Sequence, residues 1–331
     1  MKRLLILLLC AFLCTSCTAL PAEERAFAVV LGVSRSGEKW TAHARIPTYQ
    51  TGGGYATISG DGDSLAAAMA ALDAASPVHL HLGQLRMLIF SDALAQTADL
   101  NTALNELSAR HDLRLQTAVA VTDVPMQTLM DAMKPATGSR LSKSIDIMLE
   151  TRMAQGVTLQ ADLADILRMG ERQSPVLMAV TVKDKELSIE GGYPVSQQGM
   201  TGELLSPEEI QLLSLLMGEM TSGTLTIPDG TVRLMDAGSR LALDSSLGTS
   251  SCQLTLRYTS SSLTEEALEH SVAMAALAVL NKLAAANCDA LGLGRQAIMY
   301  ADDMPAWHEI DWPTLYPQIE WTVSVGAQSA A

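Results

Sequence analysis

Residues 224–260 contain TLTIP (224–228), TVRLM (231–235), RLALD (240–244) and CQLTLRYTS (252–260), and EEALEHSVAMAALAVLNKLAAAN (265–287) follows. The first four pieces read as short strands separated by Gly, Asp and Ser turns. In the last, Leu268, Val272, Ala276, Val279 and Leu283 form one apolar stripe of a long helix that Thr264 caps. Strands in a group, then a helix, point to an α+β fold with mixed sheets and packed helices.

Working outward, the C-terminal side gives a helix in GLGRQAIMYADDM (292–304), a short helical piece in WHEIDWPTLYP (307–317) and a closing strand in IEWTVSV (319–325). On the N-terminal side, GELLSPEEIQLLSLLMGEM (202–220) starts a helix with Ser206 as cap, Pro207 at the first position, and Glu208 and Glu209 against the positive helix end. Farther back, AFAVVLGV (26–33) and Trp40 to Ile46 read as a hairpin around SRSGEK (34–39), with Pro47 ending the second strand. TYQTGGGYAT (48–57) reads as a mobile loop, and Asp61 or Asp63 as the cap of an Ala-rich helix over 64–76. Strands are expected at Leu85–Phe90, 114–123, 176–182 and 187–192, and helices at 92–111, 125–133, 141–155 and 159–171. The chain divides into a region over 26–192 and another over 193–331, resolvable into as many as three small domains.

The first seventeen residues, MKRLLILLLCAFLCTSC, place the protein. Lys2 and Arg3 precede about ten apolar residues, half the length needed to span a bilayer, so the run is a signal-peptide core. Small residues Thr15 and Ser16 then lead to Cys17, the order of a bacterial lipoprotein signal, although Cys14 stands where such signals usually carry Leu. An ordinary cleaved signal with an incidental cysteine is the alternative, and the lipoprotein reading is preferred to it. On the lipoprotein reading residues 1–16 are removed, diacylglycerol on Cys17 buries two acyl chains, and 17–25 is a tether. Everything after Cys17 is expected to be soluble.

Net charge is −14, and loss of Lys2 and Arg3 takes it to −16. Such a surface disfavours nucleic acid, whose affinity comes from Lys and Arg neutralising phosphates, and disfavours adhesion to anionic lipid without a covalent anchor. Aromatic residues are 4% of the chain against 17 Met, so the core is aliphatic. Beyond Cys17 only Cys252 and Cys288 remain: one disulfide or two separate thiols, both open at this level.

The ordered segments resemble the C subunit of the nutrient receptors of spore germination, the Ger(x)C family of germination lipoproteins. The resemblance is carried by Cys17, the 26–33 hairpin, ISGDGDSLAAAMAAL (58–72), LHLGQLRMLIFSDALA (80–95), LRLQTAVAVT (113–122), GGYPV (191–195), GELLSPEEIQLLSLL (202–216), ALAVLNKLAAANCDALGLGRQAIMY (276–300) and PAWHEIDWPTLYPQ (305–318). Each is weak alone; their order over most of the chain is not. It implies a non-catalytic subunit without cofactor, on the outer face of the spore inner membrane, beside an A subunit and a transporter-like B subunit, and needed for nutrient-triggered germination. The Ala-rich helix over 265–287 departs from relatives rich there in Lys and Glu.

No zinc-protease, P-loop, nucleophile-elbow or dinucleotide fingerprint is present. Ser36 to Lys39 fits Ser-x-x-Lys but falls in a hairpin turn without a Lys-Thr-Gly partner. His79 and His81 share a strand face, with no cysteine at zinc spacing. Asp61 and Asp63 match the start of a calcium loop whose later positions are Leu and Ala. Gly52–Gly54 has no helix N-terminus to hold a phosphate. Trp307, Trp312, Tyr316 and Trp321 either fill the C-terminal core or form a partner-binding patch. Arg86, inside an apolar strand, implies a buried ion pair or an edge position. Two rivals remain: a lipid-anchored solute-binding protein, against which the grouped strands and scarce aromatics speak, and an envelope hydrolase, for which no catalytic constellation is found.

Overall fold

The computed structural model describes residues 24–48, 54–135, 140–159, 161–169, 173–184, 186–196, 198–300 and 310–330. The signal segment with Cys17, Gly52, Gly53 and Trp307 lie outside them. The strands are β1 (Arg25–Phe27), β2 (Val30–Ser36), β3 (Lys39–Thr48), β4 (Gly54–Gly62), β5 (His79–His81), β6 (Met87–Ser91), β7 (Ala118–Thr122), β8 (Val176–Lys183), β9 (Glu186–Ser196), β10 (Gly199–Met200), β11 (Gly223–Ile227), β12 (Gly230–Leu243), β13 (Thr249–Ser261) and β14 (Glu320–Ser329). The helices are α1 (Leu65–Ala75), α2 (Asp92–Ala95), α3 (Asp99–Ser108), α4 (Met126–Ala132), α5 (Leu141–Ala154), α6 (Leu163–Met169), α7 (Pro207–Leu216), α8 (Glu265–Ala285), α9 (Leu293–Ala297) and α10 (Trp312–Leu315). The fold is α+β.

Eight strands form a mixed sheet in the order β10-β9-β8-β7-β6-β2-β3-β4, parallel at its centre and antiparallel toward both edges. The central strand β6, MLIFS, has no polar side to offer because helices cover both faces. Leu88 and Phe90 join the core under α1, α2 and α3, while Met87 and Ile89 join that under α4 and α5. A four-stranded sheet, β11-β12-β13-β14, carries the C-terminal core, with β14 parallel to β13 and α8 packed on it. The five stripe residues of α8 are all buried, and Thr264 Oγ1 accepts from Ala267 N at its start.

Several expectations change. TVRLM and RLALD are one strand, β12: the Asp236–Ser239 stretch read as a turn stays paired with β13, and irregular register at 233–236 absorbs the misfit. Pro47 lies within β3, and residues 54–57 of the expected loop are strand, paired with β3. Ser64, not Asp61 or Asp63, caps α1, accepting from Ala67 N; Asp61 sits in β4, paired with Lys39 at 2.7 Å. The helix expected over 92–111 breaks into α2 and α3 at Thr97, whose hydroxyl bonds Leu94 O. Strand β9 runs through residue 192, so the expected boundary there cuts a strand; the eight-stranded sheet ends at Met200.

Candidate functional site

Helix α7 sits where the two sheets meet. Ser206 Oγ accepts from Glu209 N, and the Glu209 carboxylate accepts from Ser206 N at 2.8 Å, a complete capping box with Pro207 in the first turn. Every residue from Ile210 to Leu216 is buried, so beyond its first turn the helix has no wet side. The one long polar side chain of that buried stretch is fully used. Gln211 donates from Nε2 to Gln155 O at 2.9 Å and Thr224 O at 3.0 Å, and its Oε1 accepts from Thr226 N. Gln155 belongs to the N-terminal region and residues 224 and 226 to β11, so Gln211 stitches the two together.

Beyond α8 the chain turns through residues 286–292 and makes a second set of stitches. Ser174 N donates to Asp289 O, Gln173 Nε2 to Ala290 O, and Thr201 Oγ1 to Ala286 O at 2.7 Å. The Cys288 thiol lies 3.6 Å from Pro175 O. At the centre is Asp289, 3% exposed. Its carboxylate accepts from Leu293 N at 2.9 Å, Gly294 N at 2.7 Å and Trp312 Nε1 at 3.2 Å. Burial pushes its carboxyl up to about 6, opposed by these donors. Tyr316 OH donates to Cys288 O at 2.9 Å, and its ring lies 5.9 Å from that of Trp312.

This placement decides between the two readings of the aromatic group in favour of the core. Trp312 and Tyr316 are 4% and 1% exposed, so neither is a partner surface; their rings fill the C-terminal core and their polar tips tie it to the 288–289 turn. Trp321 is buried with them. Cys252 and Cys288 are free thiols, each buried: Cys252 faces Ser239 and Cys288 faces Pro175. Burial pushes the Cys288 thiol up to about 12, so it stays protonated and unreactive at neutral pH. Asp289 and Gln211 were not singled out by sequence. A short acid just ahead of the Gly292–Gly294 helix start was the available signal for the first; nothing marked the second.

The remaining candidates fall elsewhere. Ser36 and Lys39 are the facing ends of the β2–β3 hairpin. His79 stands 3.8 Å from Asp73, while His81 Nδ1 accepts from Gly83 N and its ring packs on Phe27. No cluster of three metal-ligating side chains occurs among the described residues. Arg86 stands just before β6, a central strand, and meets Asp146 at 3.6 Å; the position is not an edge, and the ion pair is partly exposed, not buried as expected.

Residues 19–182 match the model of a family described as the spore germination protein N-terminal domain. Residues 19–182 of the chain belong to that family of spore germination proteins. The crystal structure of the GerBC protein is similar in fold, with a TM-score of 0.59 and 13% identity, covering 91% of this chain and 97% of that one. No curated protein matches. In this spore germination protein, then, the junction around α7 and Asp289 holds the family's N-terminal domain against a C-terminal sheet. The polar groups of Gln211 and Asp289 find their partners within the chain, so the junction ties the two parts together.

Proposed function

We propose that this protein is a non-catalytic, lipid-anchored C subunit of a nutrient germinant receptor, required for nutrient-triggered germination. Diacylglycerol on Cys17 holds it at the outer face of the spore inner membrane, beside the A and B membrane subunits. The observation that carries this reading is the position of the family match: it begins at residue 19, directly behind a cysteine that follows a basic, apolar and small-residue run. Among the described residues no helix is long and apolar enough to cross a membrane. Tethering raises the effective concentration of the protein near its neighbours, so a modest interface suffices. The stitched junction suits this role, because displacement of one sheet carries the other with it. Affinity capture from detergent-solubilised spore membranes, followed by mass spectrometry, tests the reading. Recovery of a polytopic transporter-like protein and a second membrane subunit supports it; recovery of the lipoprotein alone, in a detergent that preserves the complex, overturns it.

A further inference from the structure

Among the described residues the two larger sheets end in β10, β4, β11 and β14. β10 is two residues long, and β11 is five, followed by Pro228. β4 is sandwiched: α1 lies so close on one face that a Cβ on Gly60 would sit 2.1 Å from Leu72 N, and on the other Tyr55 and Thr57 bond Leu141 N and Asp131. Folds shorten, charge or cover their sheet edges because a bare one pairs with other chains. β14 is neither short nor covered along its middle, and its one charged residue is Glu320 at the start. It is ten residues long, EWTVSVGAQS, without Pro, Lys or Arg, and its register with β13 is unbroken from Thr249–Glu320 to Tyr258–Ser329.

The direction of its peptide groups follows from three bonds. Glu320 N donates to Gly248 O and Ala330 N to Tyr258 O, so the even-numbered residues pair with β13. Alternate residues of a strand turn their N–H and C=O to opposite sides. Trp321, Val323 and Val325 therefore point theirs to the open side. Ala327, next in that series, donates to Glu269 of α8 at 2.8 Å, which closes the far end. Val323 and Val325 are half-buried against the C-terminal core, as is Leu277 of α8, so the open edge has an apolar flank. Acid stands at both ends, Glu320 at the start and Glu269 at the close. A second copy paired antiparallel through Val323 would bring Glu320 of each copy to the Ala327–Glu269 end of the other, acid toward acid.

We propose that the open edge of β14 is a docking site for an extended segment of a different polypeptide. That segment has about five residues of alternating small or β-branched side chains with a Lys or Arg at its end, and it adds as a further strand. The proposal rests on the sheet and not on the receptor reading.

The test uses the full chain in detergent and an N-terminally fluorescein-labelled peptide, KVTVTVK-amide. Saturable binding by anisotropy is expected. Val323→Pro removes an outward N–H without touching a bond to β13, and weakens binding at least about tenfold, while Val323→Thr stays within about twofold. Amide exchange by NMR needs no variant: the peptide slows exchange at Trp321, Val323 and Val325 by about tenfold or more. Absence of slowing at those three amides overturns the proposal, as does undiminished binding by a folded Val323→Pro protein. A dimer that Val323→Pro dissolves also overturns it, since the edge then belongs to a second copy.

Discussion

At the scale of single residues, Asp289 governs how the junction responds to pH. Its carboxyl ordinarily titrates at 3.8 and in the folded protein at about 6, so the folded state binds this proton more tightly than the unfolded chain does. The favourable contribution of this group is complete below about pH 4 and declines as pH rises to about 6. The loss approaches roughly 3 kcal/mol and is flat above that. Urea unfolding midpoints taken between pH 4 and pH 7 should show this slope, and Asp289→Asn should remove it. Asp289→Ala is a different case, because it strands the N–H groups of Leu293, Gly294 and Trp312. We expect a loss of about 3 kcal/mol or more at neutral pH, read by the same denaturation curves. A substitution at Tyr316 probes the other side of the turn. Tyr316→Phe keeps the ring in the core and deletes one bond to Cys288 O, for an expected cost of about 1 kcal/mol.

At the scale of elements, two helices offer sharp tests. Ser206→Ala removes half of the capping box of α7 and should cost about 1 kcal/mol, measurable as a lowered thermal midpoint. Gly60→Ala forces a methyl group against the backbone of α1, at 2.1 Å from Leu72 N, and should cost about 3 kcal/mol or prevent folding. These helices also mark what was legible in the sequence. α7 and α8 were readable because cap, charge and apolar stripe all point the same way within twenty residues or so. β12 was misread as two strands because Asp, Gly and Ser at 236–239 are turn formers locally. Pairing with β13 along its whole length overrides that preference. α1 was found but its cap was not, since Asp61, Asp63 and Ser64 are all good caps and only the path of β4 selects the serine. The junction left almost no local trace, because Gln211 and Asp289 acquire their partners from residues far away in sequence.

At the scale of the whole molecule, the proposed anchor at Cys17 gives the decisive test. Cys17→Ala should release the protein from the membrane fraction and abolish its contribution to germination, while leaving the urea midpoint of the remaining chain unchanged. Membrane fractionation with a germination assay checks both, and a variant that stays membrane-bound and active removes the anchor from the account. The parallel pairing of β13 with β14 carries a kinetic consequence. β13 ends at Ser261 and β14 starts at Glu320, so α8 and the α9–α10 segment must cross before the sheet can close. Closing a long loop to form a parallel pair is slow, and the C-terminal half remains without one wall of its core until it happens. During that interval Trp321 and the apolar stripe of α8 are open to water, and the half-built sheet is the species most prone to stick to its neighbours. On the export reading proposed above, the chain emerges N-terminus first and the N-terminal sheet has time to form while the last strand is still in transit. On that reading export rate, alongside stability, is expected to govern the yield of correctly assembled protein.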